Sequence, residues 1–419
     1  MIISLISKIR KTFAIQALSD RIYYTLTMSL IVRAGFHLPI PGISLGNIKD
    51  IASSNGFLGF MNMLSGGALS QASVFALGIS PYITASIMFY VLTLAYPRLE
   101  QMQKDGGKER DKLTQWTRYL SIFISIFQSG FVIAFLQSRN LIEEPSLLFY
   151  VNTTLILTTS VVFLTWLGDQ MTTHGIGNGI SIIIFIGIVS RLPSGLYQFV
   201  ELNRDNKFFF LLSMSVLTFT LLLTAAIIIF QLAQRKVPIY YAASRGSATS
   251  SRSYLPIKMN SAGVMPIIFA GTLQSGFISL VGYLPEAWKF NLQSYIYFDS
   301  PLMLGLYFIL VLFFTFFYTS VVFDPEKISE NLKKSGGSIH GIRPGKETID
   351  YLENIILRIT TGGAFFLALI AVLPFVMNRV FGAYFSIGGT SILIAVGVAI
   401  EVLQQIESAL SMEDYKGFV

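Results

Sequence analysis

The sequence predicts an all-α polytopic membrane protein: ten transmembrane helices in two five-helix halves, related as an inverted repeat, plus one re-entrant helix. Three observations carry this. Of 419 residues, 53% are hydrophobic and only 13% charged, against the roughly 25% charged residues of soluble domains. Apolar stretches of about 20 residues, the length that crosses a bilayer, recur along the chain. Lys and Arg collect in alternate connections between those stretches.

The spans fall at 22–41, 74–96, 119–136, 147–167, 178–198, 208–233, 261–283, 301–323, 359–377 and 390–407. The fifth and tenth are weaker, because Gly and Ser interrupt them. A further stretch at 57–72 (GFLGFMNMLSGGALSQ) is too short and too rich in small residues to cross. Such a segment is tolerated at membrane depth only when protein encloses it, so it reads as re-entrant. Ahead of the first span, Ile2, Ile3, Leu5, Ile6 and Ile9 share one helical face, with Lys8, Arg10 and Lys11 close by. This fits a short helix lying on the membrane surface rather than a cleaved signal, whose basic residues come first.

With the N-terminus inside, the inner segments carry 22 Lys and Arg and the outer ones 7, Arg191 counting with the outer end of its span. The positive-inside rule therefore puts both termini on the cytoplasmic side or its equivalent. The expected organisation is an N-tail 1–21, a first half 22–205 with the re-entrant element at about 57–73, a second half 206–407, and a C-tail 408–419. Two inner loops, 234–260 and 324–358, belong to the second half. Ten spans dividing into two odd-numbered halves is what suggests inversion, an architecture common in transporters and channels.

Much chemistry is excluded. The chain has no cysteine and three scattered histidines (His37, His174, His340), so thiolate, iron–sulfur and clustered-histidine metal sites are out. No GxxxxGK[ST], HExxH or GxSxG occurs. Gly175-Ile176-Gly177-Asn178-Gly179 resembles a phosphate loop only superficially. It lacks the third glycine at the right spacing and the preceding strand, and reads as a tight turn opening the fifth span. No cofactor is expected. Charged residues inside the spans reduce to Arg33, Arg191 near one end, and Glu401. A secondary transporter of small solutes would also fit ten spans and an inverted repeat. Such a carrier usually keeps a coupling carboxylate deep in a span, and none stands out.

Several long blocks then resemble the SecY family of protein-conducting channels, in order along nearly the whole chain. RAGFHLPIPGI (33–43) is similar to that family's first helix, and FMNMLSGGALSQASVFALGISPYITASI (60–87) to its plug and second helix. GDQMTTHGIGNGISIIIF (168–185) resembles its fourth-to-fifth connection, and LPIKMNSAGVMPIIFA (255–270) its seventh helix. FFYTSVVFDPEKISENLKKSGGSIHGIRPGKET (316–348) resembles its eighth helix and large cytoplasmic loop, and FSIGGTSILI (385–394) the start of its tenth.

The resemblance implies an hourglass channel closed by a ring of aliphatic side chains, carried here by Ile83, Ile87, Ile184, Ile188, Met265, Ile268 and Ile394. The first three pairs are spaced i,i+4, i,i+4 and i,i+3, so each shares one helix face. Aliphatic groups suit a waist that must hold no passing chain and can dewet when empty. Met265 stands where isoleucine is expected. The plug would include Phe60, Met61, Asn62, Met63, Leu64, Ser65, Gly66 and Gly67, its small polar residues leaving it weakly held in a wet funnel. A lateral gate between spans two and three and spans seven and eight would release hydrophobic segments, with Asn260 a polar contributor.

Loop 234–260 holds Arg235, Lys236, Arg245, Arg252 and Lys258 and no acidic residue, a landing surface for ribosomal RNA or an acidic protein face. Loop 324–358 is balanced, six basic to six acidic, with Arg343 held in a Gly-Ile-Arg-Pro-Gly turn. By resemblance, Arg235, Lys236, Arg245 and Arg343 dock the partner that supplies energy: a SecA-type ATPase, a translating ribosome, or both. The resemblance also implies a SecE-type subunit, a SecG-type subunit, unfolded preproteins with signal sequences, and the bilayer itself. DNA is not an expected partner. A composition rich in Ile, Phe, Ser and Asn suits a biased organelle genome, which favours a plastid thylakoid membrane over a bacterial plasma membrane.

Overall fold

Prolines and capping side chains punctuate the chain where the helices begin. The computed structural model describes residues 15–43, 62, 65–105, 107–138, 140–204, 209–241, 253–282, 300–381 and 389–416. Its helices are α1 (Gln16–Gly35), α2 (Ser80–Ala95), α3 (Pro97–Asp105), α4 (Gly107–Ser138), α5 (Leu147–His174), α6 (Gly179–Asn203), α7 (Phe209–Leu232), α8 (Met265–Gly282), α9 (Pro301–Val322), α10 (Pro325–Lys334), α11 (Lys346–Phe381) and α12 (Gly389–Lys416). Ser146 caps α5 by accepting from the Phe149 N–H at 3.2 Å. Ser300 caps α9 through Met303 N–H, and Asp324 caps α10 through Lys327 N–H, each at 3.2 Å with a proline opening the helix. Each cap satisfies an N–H that the first helical turn leaves without a partner.

Among the described residues seven helical stretches are long and apolar enough to cross a membrane. The remaining expected spans correspond to α1, α2 and α8, of 20, 16 and 18 residues. The surface helix expected at 1–13 lies outside the described residues.

The contacts divide the chain into two units. One comprises the described residues within Met1–Gln198, Ser275–Phe298 and Val398–Val419, the other those within Phe199–Gln274 and Asp299–Gly397. In the first, α2 packs on α4, α4 on α5, and α1 on α5. Their core gathers Val132, Leu136, Leu157 and Val161 with Leu69, Ala72, Ala76 and Leu77, and takes in Ile40 and Ile43 beyond α1. The chain after α1 turns at 36–37 and 41–42 and forms isolated bridges at Pro39 and Ile43. Ile40 N–H donates to Ala72 C=O and Val74 N–H to Leu38 C=O, both at 2.8 Å. Buried irregular backbone thus finds partners within the protein.

The connection from α5 to α6 is a tight turn. Asn178 Oδ1 accepts from Ile180 and Ser181 N–H, Thr25 Oγ1 accepts from Ile176 N–H at 3.0 Å, and Gln405 Oε1 accepts from Gly177 N–H at 2.7 Å. Helices α1 and α12 are therefore both tied to this turn. A Cβ on Gly179 would collide with the Gly168 carbonyl oxygen.

The second unit contains what the sequence reading missed. The two inner loops are not merely loops: β1 (Gln234–Tyr241), β2 (Ser253–Lys258) and β3 (Gly337–Ile339) form an antiparallel sheet of order β2-β1-β3. Its buried face (Val237, Ile257, Ile339) lies on Leu352 and Ile355 of α11, with Leu255, Phe323 and Ile328 around them. Two prolines hide the strands from a pattern search. Pro256 is on the edge strand, where a missing N–H is tolerated, and Pro238 lies beyond the point where β3 pairs. The block 255–270 is consequently not one helix. Its first residues are strand, and α8 starts at Met265 with Pro266 in its first turn. Helix α11 runs 36 residues, about 54 Å at 1.5 Å per residue, because its first turns form the floor of the sheet.

Two glycine substitutions test this packing. Gly179→Ala should lower the thermal unfolding midpoint in detergent, by about 1–3 kcal/mol of stability. Gly276→Ala, in a helix with nothing within 4 Å of the new Cβ, should be neutral or stabilising.

Candidate functional site

An aliphatic waist needs side chains that share one helix face and carry no hydrogen-bonding group. Ile83 and Ile87 lie on α2, Ile184 and Ile188 on α6, Met265 and Ile268 at the start of α8, and Ile394 on α12. Ile83, Ile184, Ile188, Ile268 and Ile394 are buried, while Ile87 and Met265 are half-buried. Four belong to the first unit and three to the second.

On α6 the stripe extends further than the sequence reading noticed. Ile184, Gly187, Ile188 and Arg191 follow at i, i+3, i+4 and i+7, one face of the helix. That spacing was legible in the residues, but Arg191 was counted with the end of its span.

This face meets the segment expected to be re-entrant. Of its expected residues, Asn62, Ser65, Gly66 and Gly67 are described, and Phe60, Met61, Met63 and Leu64 lie outside the described residues. The Asn62 carbonyl accepts from Gly67 N–H at 2.8 Å, Ser65 Oγ at 3.3 Å and Arg191 Nη1 at 3.4 Å. Its side-chain Oδ1 accepts from Ser70 N–H at 3.0 Å. Gly66 and Gly67 have φ of 65° and 89°, left-handed values that favour glycine. A Cβ on Gly66 would collide with the Gly187 backbone, so the bend sits directly on the helix.

Beyond the bend, the expectation of weak burial needs correcting. Leu69 and Ala72 are part of the first unit's core, and Ser73 is fully buried with its hydroxyl unpartnered among the described residues. Residues 68–77 are thus anchored by hydrophobic contact, and small size here reflects close packing rather than looseness.

Asn260 falls in the turn between β2 and α8. Its Oδ1 is buried and finds no partner among the described residues.

On the sheet, Arg235 and Lys236 occupy consecutive strand positions and so face opposite sides. Lys236 shares the exposed face with Tyr254, whose ring lies 4.7 Å from its ammonium, and with Lys258 and Tyr240. Arg235 lies on the other face, at its exposed end. Arg245 lies outside the described residues. Arg343 is exposed, and its backbone is fixed on both sides: its N–H donates to Glu347 Oε2 at 3.3 Å and its carbonyl accepts from Thr348 Oγ1 at 2.9 Å. Its guanidinium meets no acceptor among the described residues. The turn therefore presents a charge that no internal contact consumes.

The family model described as SecY matches residues 73–403. The chain is 36% identical to the protein translocase subunit SecY of Streptomyces galbus, covering 98% of each chain. It is 39% identical to that of Staphylococcus aureus (strain NCTC 8325), covering 97% of each. Among solved structures, one of a protein-conducting channel superposes with a TM-score of 0.66 at 16% identity, over 93% of this chain and 92% of the other. A SecY structure, whose plug domain is described as stabilising the closed channel and maintaining a membrane seal, gives 0.66 at 15% identity with the same coverage. Sec61 in a canine ribosome–channel complex from the endoplasmic reticulum gives 0.64 at 17%, again over 93% and 92%.

Proposed function

The chain belongs to the SecY family, and on that premise we propose how its parts divide the work of moving a polypeptide. It is the channel-forming subunit of a protein translocase, a multi-pass membrane protein whose task is conduction. The observation that carries this is similarity to translocase subunits over nearly the whole length of both chains. Unfolded polypeptide crosses at the aliphatic waist of Ile83, Ile87, Ile184, Ile188, Met265, Ile268 and Ile394. These side chains offer a passing chain no hydrogen bond and no charge, so the waist seals without gripping. Their burial, and the helix faces they share, support that role. Hydrophobic segments leave sideways between spans two and three and spans seven and eight, past Asn260.

The re-entrant residues up to Gly67 are the plug. The hydrophobic anchoring of 68–77 supports a displaceable part that ends at the two glycines. The basic excess of the inner segments supports an orientation with both termini and the sheet on the cytoplasmic side. There the exposed Arg343 turn and the Lys236–Tyr254 face dock a SecA-type motor or a ribosome, since the chain has no nucleotide-binding loop of its own. The partners in the membrane are a SecE-type and a SecG-type subunit. Composition supports a plastid thylakoid membrane, whereas the relatives named above are bacterial and support a plasma membrane. In either, the docking side is the one where proteins are made.

The absence of native cysteine makes the first test direct. Ile87→Cys or Ile184→Cys should cross-link to a cysteine in an arrested secretory chain, whereas Phe123→Cys, on an exposed apolar face, should not. Cross-linking only at the control position would remove the waist assignment. Arg343→Glu should leave the fold intact, because its hydrogen bonds are made by backbone atoms. It should weaken binding of the driving partner about tenfold, ~1.4 kcal/mol, in a pull-down titration.

A further inference from the structure

Arginine inside an apolar span is costly unless something uses its charge. Arg191 is partly buried on α6 and makes no ion pair among the described residues. Its recorded partner is a neutral one, the Asn62 carbonyl, 129 positions away in the chain. Gly67 also lies against its side chain, where a Cβ would come within 3.5 Å of Nε. The same carbonyl takes two donors from within the bend itself, so the guanidinium joins a hydrogen-bonded knot that already holds the bend in shape. One turn back on α6, Gly187 provides the notch into which Gly66 fits.

We propose that Arg191 is the latch of the closed channel, a positioning residue whose guanidinium, with the Gly187 notch, holds the Asn62–Gly67 bend on α6. The inference rests on the plug reading above. Its logic is chemical. A carboxylate in place of the carbonyl would make a buried ion pair, costly to break once formed. A carbonyl makes a single charge-assisted hydrogen bond, firm enough to bias closure and weak enough to yield to an entering chain. Position adds to this. Because Arg191 shares its helix face with Ile184 and Ile188, any chain that spreads those isoleucines disturbs the latch on the same face. Gly66 and Gly67 supply the backbone freedom for the released segment to swing, while 68–77 stay in the core.

The test is resting ion conductance of the full channel, assembled with its membrane subunits in a planar bilayer without a translocating chain. Arg191→Met keeps length and loses every donor. It should raise the open-to-closed ratio about tenfold, the low end of what losing a hydrogen bond to a charged group costs. Arg191→Lys should recover part of the seal. Gly66→Ala, which pushes the bend off Gly187 without changing any residue of α6, should leak like Arg191→Met and add little to it. In a channel lacking residues 60–67, already leaky, Arg191→Met should change nothing further. The latch is overturned if Arg191→Met does not leak, or leaks equally more in the deleted background. If the deletion itself caused no leak, the plug reading would fall as well, and that outcome is distinct from a leaky deletion with a tight Arg191→Met.

Discussion

The irregular backbone of a membrane-spanning region answers to one constraint: in hydrocarbon, a backbone N–H or C=O without a partner costs several kcal/mol. The first unit meets it by folding its irregular chain against itself. Residues 38–40 and 72–74 exchange backbone hydrogen bonds, and Ile43 bridges to Ile142. Between the stop of α1 at Gly35 and the start of α2 at Ser80, backbone groups of the described residues are paired in this way. The stop is also steric, since a Cβ on Gly35 would run into the Phe75 ring. The described residues between the two helices form a small hydrogen-bonded core, from which the proposed plug extends.

The same constraint relaxes outside the membrane, and there the chain changes periodicity. Helix α7 gives way to β1 two residues after Leu232, and α11 carries its helix through the sheet's hydrophobic floor toward its expected span at 359–377. The sheet is small, but it is continuous with both helices.

Much of this was legible in the residues. Long apolar runs such as Phe209–Leu232 and Pro301–Val322 mark themselves, because a bilayer demands about 20 residues in succession. The family resemblance was visible because its blocks are long and ordered. The sheet was not, for its strands carry Pro238 and Pro256, and their burial is supplied by Leu352 and Ile355, about a hundred residues away. Helix ends were misplaced where tertiary contact overrides hydropathy, as at Met265 and Ser80. The anchoring of Leu69 and Ala72 was missed because small residues carry little hydropathy whether they pack tightly or not at all. Of the site, the isoleucine pairs came from the family resemblance, with which their spacing is consistent. The meeting of Arg191 with Asn62 could not, since nothing local links positions 129 apart.

A channel that must seal and still yield cannot use strong contacts in the part that moves. The described structure separates the two demands by residue type. Strength resides in the core of Leu136, Leu157 and Val161, whose burial is worth roughly 1.5–3 kcal/mol per side chain. The bend at Gly66 has no side chain to bury, and Asn62 and Ser65, though buried, are held by hydrogen bonds whose net worth is about 1 kcal/mol each. An entering polypeptide can replace such bonds with its own backbone groups, whereas it cannot replace an interdigitated leucine core. Polar contacts therefore hold the bend and apolar contacts the residues behind it, with the two left-handed glycines between them.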